Sequence, residues 1–177
     1  MRACLVIAAL SWLLPASLPA QEPTRCAAAR PEALVLYGPD VAPTPFEIAE
    51  LRRLPAAEIR APDHEGAEIS YRGVHLWRLL NRAGVTGGEL RGARLEQYLV
   101  AEAADGYRAV LALPEADSAY QTRAVIVAYE ADGKPLGTRS GPLQLIVEAD
   151  RHHGRWVRQL ECIRVARASP AGEAVPR

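Results

Sequence analysis

The sequence predicts an α+β domain in which antiparallel strand pairing dominates. Short apolar or β-branched runs recur along the chain, turn dipeptides separate several of them, and two helical patterns occur without the regular strand-helix alternation of a parallel sheet. With so few helices, most of the core must come from strand faces.

The first run, "ALVLYG", reads as a strand closed by Gly38-Pro39. "TPFEIAELRRLP" reads as a helix capped by Thr44, with Pro45 at the first helical position and Leu54-Pro55 as its end. "AAEIRA" is a strand, and "ISYRGVHLWRLLNRAG" is a strand, a turn at Gly73 and a helix. That helix places Leu76, Leu79, Leu80 and Ala83 on one face and stops at Gly84. "LEQYLVAEAADGYRAVLAL" is a hairpin about Ala104-Asp105-Gly106, followed by a helical turn from Pro114 to Asp117. In "AVIVAYEADGKPLGTRSGPLQLIV" two strands, residues 124–129 and 143–147, flank an Asp132-Gly133 turn, and "WVRQLECIRVARA" supplies the last strand.

The 177 residues suit one domain with a real core. Basic and acidic residues balance at 21 each, which argues against a nucleic-acid or anionic-membrane partner. Residues 1–20 read as a signal peptide, with Arg2, an apolar stretch from Ala3 to Leu10, and small residues at Ala16 and Ala20. Residues 21–31 then form a flexible N-terminal segment, 32–167 the folded domain and 168–177 a disordered tail. No later stretch is apolar enough to span a membrane, so the expected product is soluble and periplasmic or secreted. Cys4 would leave with the signal, and Cys26 and Cys162 either bridge or remain two separate thiols.

Four stretches, "FEIAELRRLP", "YRGVHLWRLLNRAG", "ADGYRAVLAL" and "ADGKPLGTRSGPLQLIVEADRHHGRWVRQLECIRV", in this order resemble the oxidoreductase molybdopterin-binding domain family. The resemblance implies a sulfite-oxidase-type fold, mostly antiparallel or mixed sheet with a few helices, and a molybdopterin cofactor. In larger members the metal is held by two pterin sulfurs and one cysteine, a soft thiolate completing its coordination. The corresponding stretch here, "EIRAPDHEGAEISYRG", contains no cysteine; Cys26 lies too early and Cys162 too late to replace it. No Arg-Arg pair stands near the start to direct export of a protein already folded around its cofactor.

Candidate site residues follow partly from the residues and partly from the resemblance. Asp63 and His64, in "PDHEG", put a carboxylate and an imidazole where the family ligand would stand; the same residues also suit an ordinary polar turn. Tyr107 is implied as a wall of the pterin pocket, beside an Asp105-Gly106 pair that hairpin geometry explains. In "SGPLQLIVEADRHHGRW" the resemblance makes Arg139, His152, His153 and Arg155 anion contacts, Gly154 a point of close backbone approach, and Trp156 a pocket wall. The competing reading is a solvated loop with Trp156 in the core. Adjacent histidines rarely face one ion, so no metal site is assigned there. His75 reads as a helix-surface residue, and no catalytic residue, nucleophile elbow or glycine-rich phosphate loop is found.

The expected function is a non-catalytic module holding a small anionic or polar, pterin-like ligand between the Asp63-His64 loop and the His152 to Arg155 loop. It would be accessory to a redox or sensor protein. The alternative is a genuine molybdenum-cofactor oxidoreductase with a non-cysteine ligand such as His64.

Overall fold

The computed structural model describes residue 26 and residues 32–63, 65–86 and 90–168. The segments expected to be a signal peptide and a C-terminal tail lie outside the described residues, apart from Ala168, whose N–H donates to the Glu96 carbonyl.

Among the described residues ten strands form two five-stranded sheets. The first has the order β2 (Val41–Glu47), β1 (Ala33–Gly38), β10 (Leu160–Arg167), β5 (Gln97–Ala103), β6 (Arg108–Ala112), in which only β1 and β10 run parallel. The second sets β3 (Ala57–Pro62) beside β4 (Glu68–His75) and β7 (Val125–Ala131), which also pairs with β8 (Lys134–Pro135) and β9 (Gln144–Val147), all antiparallel. One core joins the sheets, with Leu34, Leu99 and Ile163 of the first and Val74, Ile126 and Leu145 of the second in a single buried cluster. This is the α+β, largely antiparallel arrangement that the sequence predicts.

Two local predictions need correction. The stretch expected to be helical from Thr44 is strand as far as Glu47, and the helix α1 is one turn, Ile48–Leu51. Strand pairing wins because β2 lies at the sheet edge, where proline is tolerated, and Phe46 and Thr44 sit opposite Leu34 and Leu36. The Thr44 hydroxyl donates to the Ala42 carbonyl at 2.9 Å and caps no helix. Gly73 is no turn either. It lies inside β4 at a register irregularity against β7, and a Cβ there would sit 2.2 Å from the Val127 carbonyl oxygen.

Helix α2 (Leu76–Arg82) buries Leu76, Leu79 and Leu80, and Gly84 follows at φ +76°. The hairpin turns at Gly106, φ +87°, with the Asp105 carboxylate accepting from the Tyr107 N–H at 2.8 Å. Asp132 and Gly133, both at positive φ, turn β7 into the two-residue β8 rather than into β9. The chain then makes an excursion through residues 136–143 before β9 pairs with β7.

Cys26 and Cys162 form a disulfide, with Cα atoms 6.1 Å apart and a sequence separation of 136. On the chain-entropy model a loop this long is worth about 5 kcal/mol.

Substituting Gly73→Ala should drive a methyl group into the β7 backbone and lower the unfolding free energy in a urea titration by about 2–3 kcal/mol. The same change at Gly154, where a Cβ meets nothing within 4 Å, serves as the comparison.

Candidate functional site

Three loops converge where β10 begins. The excursion through residues 136–143 brings Arg139, the β5-β6 hairpin brings Asp105 and Tyr107, and the loop before β10 brings His153, Trp156 and Arg158. Between them is a cavity of about 460 Å³. A second, of about 290 Å³, shares Arg139, His153, Trp156 and Arg158 and is closed on its far side by Asp63, Glu65 and Tyr71.

Trp156 organises this wall. Its ring is buried, its indole N–H donates to the Val147 carbonyl at 3.0 Å, and Tyr71 meets it edge-on at 5.6 Å between centroids. His153 stacks on it at 3.7 Å and 14°. Trp156 is thus a core residue that also borders both cavities. Across the mouth, the half-exposed Tyr107 hydroxyl donates to the Gly154 carbonyl, fastening the hairpin to the 3₁₀ turn His153–Arg155.

The cations divide into two kinds. Arg155 lines neither cavity: its guanidinium reaches the Asp150 carboxylate at 2.6 and 3.0 Å and the Glu115 carboxylate at 3.0 and 3.2 Å. The Asp150 hydrogen bond, foremost, raises its pKa further. The anion contact expected of Arg155 is corrected to a structural bridge between two acids. Arg139 and Arg158 line both cavities and form no ion pair among the described residues. His152 is exposed and lines neither cavity, while His64 lies outside the described residues.

On the acidic side, Asp63 is engaged in its own loop, one carboxylate oxygen accepting from the Glu65 and Ala67 N–H groups at 2.8 and 2.9 Å. Tyr71 has its pKa raised, by burial first and then by Asp63 and Asp132, so it stays a neutral donor. Of the predicted set, Arg139, His153 and Trp156 line both cavities, Tyr107 the first and Asp63 the second.

The sequence reading missed Arg158, although it lies two residues after Trp156, the spacing that sets side chains on one side of an extended chain. Tyr71 gave no local signal, because its place depends on how β4 crosses the core.

A family model for the oxidoreductase molybdopterin binding domain matches residues 34–173. The chain belongs to that family. Among solved structures it is similar to the sulfane dehydrogenase SoxCD from Paracoccus pantotrophus, with a TM-score of 0.59 and 19% identity over 80% of this chain. The match covers 39% of that chain, and the likeness shows the fold, a sulfite-oxidase-type molybdopterin fold. No curated protein matches.

The donor set fits one end of the family's cofactor. Two guanidinium groups without an ion pair among the described residues, and an imidazole, suit an oxyanion such as the pterin's phosphate. Among the described residues no cysteine thiolate for the metal stands at the cavity, because Cys26 and Cys162 are bridged beside Val35 in a buried cluster of their own. Among the described residues no group of histidine, cysteine or acidic side chains is arranged to hold a metal ion, and no helix is long and apolar enough to cross a membrane.

Replacing Arg155→Ala should destabilise the domain by about 1–2 kcal/mol in chemical denaturation, a modest value because the pairs are partly exposed. It should leave phosphate affinity, measured by calorimetry, within twofold of the parent.

Proposed function

We propose that this domain is an exported, non-catalytic member of the molybdopterin-binding family that holds an anionic, pterin-like ligand for a redox or signalling partner. One observation carries the reading: Arg139 and Arg158, each without an ion pair among the described residues, line the same cavities as His153 and a buried tryptophan. An aromatic wall beside two guanidinium groups suits a flat heterocycle that carries a phosphate. The Cys26–Cys162 bridge supports export, since disulfides persist in oxidising compartments.

The non-catalytic part rests on chemistry. The family's redox step needs a metal whose coordination a protein thiolate completes, and both cysteines among the described residues are locked in the bridge.

Protein purified from a periplasmic extract and titrated calorimetrically with a pterin monophosphate should bind it saturably. Arg139→Gln and Arg158→Gln should each weaken binding about tenfold, the worth of a charged hydrogen bond. Unchanged affinity in both variants would remove the reading, and stoichiometric molybdenum by elemental analysis would replace it with an oxidoreductase using a non-cysteine ligand.

A further inference from the structure

A separate cavity, of about 270 Å³, opens between the β4-α2 junction and the chain that links β6 to β7. His75, Trp77 and Arg78 form one wall; Glu115, Asp117 and Arg123 belong to the other. We propose that this cavity is a binding site for a small monocarboxylate.

The placement follows from the helix. With Leu76, Leu79 and Leu80 fully buried, α2 is fixed against the core, and Trp77 and Arg78, between them in sequence, remain half-buried at the cavity. The Arg78 guanidinium carbon lies 4.6 Å from the Trp77 ring centroid, and His75 stacks on the same indole at 6.3 Å and 30°. A guanidinium held against an aromatic face keeps its N–H groups around its rim for a ligand. The Nε of Arg78 is buried and has no hydrogen-bond partner among the described residues. A buried donor left unmatched is unfavourable, and a carboxylate's paired oxygens are the acceptor that fits a guanidinium edge.

Charge selects the ligand class. Arg78 and Arg123 form no ion pair among the described residues. The acids of the wall already have partners: Glu115 accepts from the Ala112 N–H at 2.7 Å and pairs with Arg155 at 3.0 Å, and Asp117 accepts from the Ala119 N–H at 2.9 Å. Glu148, close enough to act on His75, accepts from the Ala124 N–H at 2.7 Å. Burial and then Arg78 lower the His75 pKa against the pull of Glu148, so the imidazole is a neutral polar group near pH 7. Arg78 and Arg123 thus line the cavity beside acids that are already hydrogen-bonded. A singly charged carboxylate gains from the arginines, whereas a doubly charged phosphate meets more repulsion from Glu115 and Asp117.

The test uses the full folded protein and reads the indole N–H of Trp77 in proton-nitrogen correlation spectra during titration with lactate and benzoate, with Trp156 as the internal reference. At least one of these probes should move the Trp77 resonance saturably and leave that of Trp156 in place. Arg78→Gln should weaken the effect about tenfold, as should Arg123→Gln, a change at an exposed position that leaves the core untouched. No saturable shift of the Trp77 resonance with either probe, an affinity unchanged from the parent in both variants, or tighter binding of inorganic phosphate than of either carboxylate as read at Trp77 would overturn the assignment.

Discussion

Gln159 ties three separate stretches of chain around the principal cavity. Its carbonyl accepts from the Ala104 N–H of the hairpin at 3.0 Å, its own N–H donates to Ser140 at 2.8 Å, and its side-chain amide donates to Thr138 at 2.8 Å. The residue adopts φ +48°, a conformation uncommon for a side chain of this kind, and the three bonds oppose that preference. Together with the Leu160 N–H to Leu143 carbonyl bond at 2.9 Å and the Leu160–Ala103 pairing, this junction fixes the excursion that carries Arg139 against the start of β10 and the hairpin. The hollow thus depends on backbone stitching at its rim, on a scaffold whose core is built from two sheets.

Around that rim, charge is sorted by whether a partner is at hand. Arg155 is enclosed by Asp150 and Glu115, and Arg108 grips the buried Glu102 from the neighbouring strand at 3.0 and 3.2 Å. Arg139, Arg158, Arg78 and Arg123 have no such carboxylate among the described residues. A chain with balanced acids and bases can therefore carry local positive surplus wherever acids are already engaged, which net charge does not reveal.

This sorting explains which parts of the molecule were legible in its residues. The strands and α2 were, because periodicity and turn chemistry act locally: Gly106, Asp132 and Gly84 all take the backbone shapes their sequence contexts ask for. The Thr44 segment was not, because an edge position in a sheet overrides a local helix signal, and that position depends on a partner strand in the fold. Among site residues, His153 and Trp156 were recognisable as cavity-lining from their company, whereas Arg155 was misread because the fold alone brings it against both Asp150, five positions before it, and Glu115, 40 positions before it. Inspection of "HHGRW" does not disclose that its arginine has already found two acids.

The Cys26–Cys162 bond has a topological consequence. It closes a ring from the approach to β1 to the start of β10, so every loop that shapes either cavity lies within one covalent circle. A protease cutting an exposed peptide in that circle, at Arg151 for instance, would open the ring without releasing a fragment. Both new ends would stay tethered to strands still paired in their sheets, and the damaged molecule would keep its mass until its sulfur link was reduced.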